Sequence, residues 1–248
     1  MDRQRVSEIA HRGHPIAAPI AEESVRGLLA RALPAAGGRV LDLGCGRGAW
    51  LVRAAEGRPS VRGVGVDLDG EIVARGREDV ERAGLGGRVV LHAGDVREFR
   101  SPDAYDLVLS VGATHAFGGL AATLDAASAY LAPGGSVLVG EGFWEREPQQ
   151  ATLDAGFGAD EFHDLATTVE RVVADGWIPV HGHISTAGEW DAYEWAWTGS
   201  LSRWALDHPD HPDSAEVLET ARVHREGWLR GYRGTLGFVC LVLRRVEG

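Results

Sequence analysis

Apolar runs of strand length alternate with helix-patterned stretches through most of this 248-residue chain. That alternation predicts an α/β fold, a mostly parallel sheet covered on both faces by helices. The composition supports it, with 44% hydrophobic and 25% charged residues, well away from the range in which chains stay disordered. The length is ample for a large buried core, and no stretch of ~20 apolar residues exists to span a bilayer.

In chain order, strands are expected at 39–43, 61–67, 88–92, 105–111, 136–141, 177–185 and 235–245. Helices are expected at 22–33, 49–56, 70–83, 120–131, 160–174, 188–207 and 214–230. Spacing is regular up to Glu141 and then loosens. Roughly 35 residues precede the sixth strand and roughly 50, mostly helical, precede the seventh, well beyond ordinary connections. Specificity is expected in those insertions. His208-Pro209-Asp210-His211-Pro212 reads as a turn between two helices, because each proline disfavours helix before it. The expectation is one domain over 1–248: an N-terminal segment at 1–33, a core at 34–141, and a C-terminal half at 142–248 with a helical cover at about 187–232.

Composition excludes several chemistries. All 25 basic side chains are Arg; the chain has no Lys and no Asn. Without Lys there is no phosphate-loop lysine and no Schiff-base amine. Without Asn there is no N-glycosylation acceptor. The net charge is -11 with no basic run, which argues against a nucleic-acid partner. Cys45 and Cys240 are far apart, and the N-terminal stretch MDRQRVSEIAHRGHP has no apolar signal core. A reducing cytoplasm is the expected location. Ten His without a His-x-x-x-His pair or a Cys cluster leave no expected metal site.

The most informative segment is Val40-Leu41-Asp42-Leu43-Gly44-Cys45-Gly46-Arg47-Gly48, an apolar strand that passes an acid and enters a Gly-x-Gly-x-Gly turn opening a helix. Glycine lets the backbone turn tightly and approach a ligand, and the helix start offers unpaired N–H groups. The dinucleotide fingerprint spaces its glycines differently and meets a pyrophosphate, which Asp42 would repel. An ammonium suits that charge. Taken alone, the segment also reads as an ordinary strand-to-helix turn.

Asp42-Leu43-Gly44-Cys45-Gly46-Arg47-Gly48 resembles the cofactor loop of class I S-adenosylmethionine-dependent methyltransferases, in particular the small-molecule, cyclopropane-synthase-like branch. Four more landmarks agree with the resemblance: Val64-Gly65-Val66-Asp67, Gly94-Asp95-Val96, the strand Asp106 to Val111, and Leu131-Ala132-Pro133-Gly134-Gly135-Ser136. The resemblance implies a Rossmann-like seven-stranded sheet of order 3-2-1-4-5-7-6 with strand seven antiparallel and the helical cover inserted between strands six and seven. It implies S-adenosyl-L-methionine as cofactor, no metal, and S-adenosyl-L-homocysteine as product. It assigns cofactor contacts to Asp42, Gly44, Cys45, Gly46, Gly48, Asp67, Leu68, Asp95, Val96, Ser110 and Val111. Asp67 would bind the ribose hydroxyls and Asp95 the adenine amino group.

Residues following the fourth and fifth strands are expected to face the reacting methyl group. The catalytic candidates are His115, as a base or as a residue ordering its loop, and Glu141, as a substrate contact or as a loop acid. Substrate-contact candidates are His14, Phe117, Trp144, Trp190, Tyr193, Glu194 and Trp197. Of these, Trp190, Tyr193, Glu194 and Trp197 share a helical stripe with Leu201 and Trp204, which also reads as plain packing. Glu194 must find a partner, open on a cavity, or lie at the stripe's edge. His11 and His14 resemble a lid segment over the cofactor, and equally read as an ordered arm.

The expected activity is methyl transfer to an O, N or S atom of a small molecule, by a monomer or homodimer with no nucleic-acid or membrane partner. The alternative is an S-adenosylmethionine-binding protein without transferase activity, a sensor or partner subunit. A nicotinamide oxidoreductase is disfavoured by the glycine spacing.

Overall fold

The computed structural model describes residues 3–245, with side chains from residue 5 onward. The first two residues of the N-terminal segment and the last three of the C-terminal half lie outside the described residues. The order is α1 (Arg3–Ala10), α2 (Glu22–Ala32), β1 (Arg39–Leu43), α3 (Ala49–Ala55), β2 (Arg62–Asp67), α4 (Gly70–Arg82), β3 (Val89–Ala93), β4 (Tyr105–Val111), α5 (Leu120–Ser128) and β5 (Leu131–Trp144). Then follow α6 (Gln150–Asp154), α7 (Leu165–Ala174), β6 (Trp177–Ile184), α8 (Ala187–Asp207), α9 (Ser214–Glu226), a π turn (Gly227–Tyr232) and β7 (Leu236–Arg245).

The seven strands form one sheet of order β3-β2-β1-β4-β5-β7-β6. The β1–β2, β1–β4, β2–β3 and β4–β5 pairs are parallel and β6–β7 is antiparallel, as the family resemblance implies. Central strands read as continuous apolar runs because both faces are covered; Val40, Leu41 and Leu43 of β1 are fully buried. No helix among the described residues is long and apolar enough to cross a membrane.

Where the one-domain reading is concerned, the chain clusters into two compact units. The sheet unit comprises Ala21–Glu141, Thr168–Ile184 and Val239–Gly248; the helical unit comprises Met1–Ile20, Gly142–Thr167 and Ser185–Phe238. The division falls within β5 and within β7.

Several element boundaries differ from expectation for identifiable reasons. The helix expected at 160–174 starts at Leu165, because Asp164 caps it by accepting from the Thr167 N–H and hydroxyl. The helix expected to reach 131 stops at Ser128, because Leu131 pairs with Tyr105 and belongs to β5. Helix α8 opens at Ala187 behind a capping box, in which Thr186 and Glu189 satisfy each other's backbone N–H groups. The helix expected to continue to 230 ends at Glu226 and widens into the π turn, which buries Trp228 and Tyr232. Gly231 fits there because a Cβ would lie 2.7 Å from the Ala151 carbonyl oxygen. Helix α1 was not expected at all. It forms in a polar sequence because Ile9 and Ala10 bury against Leu201, Trp204 and Ala205 of α8.

Candidate active site

In the sheet unit, register brings the acids together. Asp42 of β1 lies opposite Gly65 of β2 and Leu109 of β4, while Asp67 ends β2 opposite Ala93. The carboxyl ends of β1, β2, β3 and β4 therefore present Asp42, Asp67, Asp95 and Ser110 along one edge, where open α/β sheets bind ligands. Gly44, Gly46 and Gly48 all take positive φ, at 87°, 51° and 76°, a conformation that side-chain-bearing residues disfavour. Gly44 and Cys45 donate to the Val66 carbonyl at 2.9 and 3.0 Å, so the loop is pinned to the end of β2.

Asp67 completes that pin. Its Oδ2 accepts from the Gly46 N–H at 2.8 Å and its Oδ1 from the Asp69 N–H at 3.0 Å, leaving each oxygen a further lone pair. Asp42 is only 2% exposed and its Oδ2 has no hydrogen-bond partner. Burial, reinforced by the Asp67 charge, pushes its carboxyl up to about 8. Ser110 is fully buried and its hydroxyl is also unpartnered. Leu68, next to Asp67, is 76% exposed, a large apolar side chain left open beside the polar cradle. Cys45 is buried, and desolvation followed by the two nearby carboxylates raises its thiol far above the reactive range.

Asp95 differs from the other two acids. Arg97 grips it with Nε and Nη2, and the Arg97 backbone N–H adds a third bond at 2.9 Å. These bonds hold its carboxyl down to about 2. Val96 beside it is buried. At the next strands, Val111 pairs with Gly140, so the Thr114–Phe117 turn carrying exposed His115 and half-buried Phe117 follows β4 at the edge where Glu141 stands in β5.

The helical unit holds a second polar cluster. Glu194 is 2% exposed and doubly bonded: the Tyr232 hydroxyl donates to Oε1 and His224 Nε2 meets Oε2, both at 2.7 Å. Trp197 stacks on the His224 ring at 3.8 Å. Burial and the Glu194 carboxylate raise the Tyr232 and Tyr193 hydroxyls above the ordinary tyrosine range. His11 donates through Nδ1 to the Ser7 carbonyl, so its Nε2 accepts from the Tyr193 hydroxyl at 3.2 Å. Burial chiefly, with His14 and His224 nearby, holds His11 below its ordinary value. His14 bonds the Ile16 carbonyl and meets the Tyr193 ring edge-on.

The aromatic stripe therefore divides. Leu201 and Trp204 are core, packed with Ile9 and Val217, while Trp197 and Tyr193 serve the polar cluster. Trp144, a substrate-contact candidate, lies in a cluster with Trp228, Tyr232 and Leu236. It is 7% exposed, donates to the Ala159 carbonyl at 3.2 Å, and meets Phe157 and Phe162 edge-on. His224 and Tyr232 were missed. They lie 30 and 38 residues from Glu194, and His224 sits in a run of charged residues that resembles a solvated helix face. Among the described residues, no group of three or more His, Cys, Asp and Glu side chains is placed to hold a metal ion.

This strand order, with an acidic strand end feeding a glycine turn, defines a Rossmann-like class I methyltransferase fold. A profile described as a methyltransferase domain matches residues 40–135. The Escherichia coli K12 protein YjhP is 30% identical over 222 residues, 88% of each chain. Two solved methyltransferase structures, both in complex with S-adenosyl-L-homocysteine, resemble the whole chain. The one from Geobacter sulfurreducens has TM-score 0.88 at 28% identity over 98% of both chains. The one from Thiobacillus denitrificans has TM-score 0.88 at 29% identity over 99% of this chain and 100% of the other. The chain belongs to the S-adenosylmethionine-dependent methyltransferases.

Proposed function

We propose that the chain is a metal-independent enzyme that transfers the methyl group of S-adenosyl-L-methionine to an O, N or S atom of a small molecule. The observation that carries the cofactor side of this reading is the buried Asp42 carboxyl, whose Oδ2 has no partner, behind three left-handed glycines. A carboxyl kept out of water without a partner is costly, and a cation bound beside it relieves that cost. The cofactor, when bound, supplies a methyl group on a positively charged sulfur and also carries an ammonium.

Asp67 keeps its loop bonds and offers its remaining lone pairs to a ribose diol, while exposed Leu68 gives an adenine ring an apolar surface. Ser110 offers an unsatisfied hydroxyl at the end of β4. Asp95 takes part through its backbone surroundings and Val96, or by sharing its carboxylate with Arg97. On the acceptor side, His115 takes the proton that an O–H or N–H nucleophile loses, and Glu141 and Phe117 orient the acceptor. Methyl transfer to a good nucleophile needs alignment and exclusion of water more than strong base catalysis.

Isothermal titration calorimetry with S-adenosylmethionine and S-adenosylhomocysteine tests the cofactor half. Both are expected to bind in the micromolar range, and Asp67→Ala to bind at least ~tenfold more weakly. Folded protein that binds neither overturns the reading. For the acceptor half, small-molecule pools incubated with cofactor and a chelator are searched by mass spectrometry for products carrying one added methyl group. His115→Ala is expected to lower kcat and leave cofactor affinity unchanged; unchanged kcat removes His115 as the base.

A further inference from the structure

Within the helical unit, a cleft of about 300 Å³ lies between the turn His11–Gly13 that follows α1 and the last two turns of α8. Ser200, Arg203 and Asp207 line it at positions i, i+3 and i+7, so they share one face of α8, and Arg12 reaches the same cleft from the turn. Ser200 is 8% exposed. Its hydroxyl has no hydrogen-bond partner among the described residues and, unlike that of Ser110, is not sealed from the surface. Native proteins leave few nearly buried hydroxyls unmatched. Gly13 leaves room beside this one, since a Cβ there would lie 3.1 Å from Oγ.

The charges of the cleft are open as well. Arg203 and Asp207 stand four residues apart on one helix, a spacing at which opposite charges often meet, yet they form no ion pair. Arginine N-terminal to the acid is the poorer orientation for such a pair. Among the described residues neither side chain has another hydrogen-bond or ion-pair partner. Arg12 has only a loose contact, its Nη2 3.7 Å from Glu8 Oε1, while the other Glu8 oxygen accepts from Arg5. His208 donates through Nδ1 to the Trp204 carbonyl. A simple anion placed here meets the Asp207 charge, and a simple amine meets two guanidiniums. A ligand that carries both signs satisfies all of them. The arginine forks suit a carboxylate, and Asp207 accepts from an ammonium at the C-terminal end of α8, where the helix dipole also favours a cation. The volume sits at the lower end of the ~300–1,000 Å³ typical of small-molecule sites, which suits a compact ligand.

We propose that this cleft is a binding site for a small free amino acid. The ligand carboxylate accepts from Ser200, Arg12 and Arg203, and its ammonium donates to Asp207.

The test uses the full chain without cofactor, at low ionic strength where screening is least, and follows binding by calorimetry. The probes are L-alanine, β-alanine and γ-aminobutyrate, which set the ammonium progressively farther from the carboxylate. Propionate lacks the ammonium and ethylamine lacks the carboxylate. Saturable binding of at least one amino acid below ~10 mM is expected, with propionate and ethylamine each roughly tenfold weaker. Ser200→Ala, Gly13→Ala and Arg203→Gln are each expected to weaken it severalfold while the far-ultraviolet circular dichroism stays unchanged. Asp207→Asn is expected to erase the preference for the amino acid over propionate. Arg203 and Asp207 are exposed, so their variants keep the test open should one at Ser200 or Gly13 fail to fold. No saturable amino-acid binding, equally tight binding of propionate or ethylamine, or affinity unchanged in the folded Arg203→Gln and Asp207→Asn proteins each overturns the proposal. Because the readout is binding without cofactor, a failed methyl-transfer assay and an empty cleft are told apart.

Discussion

Asp42 and Glu194 are each 2% exposed, yet the two units treat their carboxyls in opposite ways. In the helical unit Glu194 is met by Tyr232 and His224, two donors supplied by the chain itself. In the sheet unit Asp42 leaves an oxygen without a donor, and its acidity falls, with the carboxyl pushed up to about 8 by burial and the Asp67 charge. Burial costs a carboxylate its water in both places. Where the chain returns the lost bonds, the acid belongs to the architecture. Where it does not, the partner has to arrive from outside, which is what a binding site for a cation requires.

The largest effect expected from this contrast is on stability. Glu194→Ala should destabilise the protein by about 3 kcal/mol, because it strips the buried Tyr232 hydroxyl and the partly buried His224 of their shared acceptor. Urea unfolding measures it. A loss under ~1 kcal/mol would mean that the cluster relaxes freely, and Glu194 would then lose its structural assignment. Asp42→Asn comes next and moves two quantities in opposite directions. Stability without cofactor should rise at pH 8, since a neutral amide needs no ionisation. Cofactor affinity should fall roughly tenfold to hundredfold with the loss of a charged partner. If stability and affinity both fell, Asp42 would be an architectural acid like Glu194.

The pH dependence sharpens the same comparison with a smaller effect. The folded pKa of Asp42 is raised to about 8 from an ordinary 3.8. Its contribution to stability is therefore complete below about pH 4 and is lost as pH rises through about 8. The stability difference between Asp42→Asn and the wild type should widen in favour of the variant across that window and level off above it. A cation bound beside Asp42 favours its charged form, so cofactor uptake at pH 7 should release up to one proton. Calorimetry in buffers of different ionisation enthalpy counts it, and an Asp42→Asn protein should release none from this site. Proton release that survives the substitution would assign the titration to another group.

The two units also differed in how much of them could be read beforehand. The sheet unit was legible because its signals are local. Each acid lies within two residues of the end of its own apolar strand, and the glycine turn lies between Asp42 and the helix it opens. Strand order then brought those short segments side by side. Glu194 was visible as a charge in an aromatic stripe, but its partners are supplied by α9 and the π turn, whose geometry has no period that a sequence displays. The surroundings of Trp144 were hidden for the same reason. It ends β5, and its packing against Phe157 and Phe162 is visible only in the folded chain. The partnerless Asp42 oxygen and the open charges of Arg203 and Asp207 are properties of what is absent nearby among the described residues, and no residue pattern encodes an absence.

A third acid separates the two outcomes further. Asp95 stands in the sheet unit with Asp42, yet like Glu194 it has its partner, an Arg97 guanidinium, and unlike both the pair lies at the surface. Exposed ion pairs contribute little, so Arg97→Ala should leave the urea-unfolding midpoint essentially unchanged. The substitution also lets the Asp95 carboxyl rise from about 2 toward its ordinary value and frees Oδ2 for a ligand donor, while Oδ1 keeps its bond from the residue-97 backbone N–H. If Asp95 contacts the adenine amino group, cofactor affinity should stay level or tighten up to severalfold, because the ligand no longer competes with a guanidinium. A tenfold loss would instead place Arg97 itself in the cofactor contact. Asp95 would then be an architectural acid that positions an arginine, and Asp42 and Asp67 would be the two carboxylates of that edge left to meet the ligand directly.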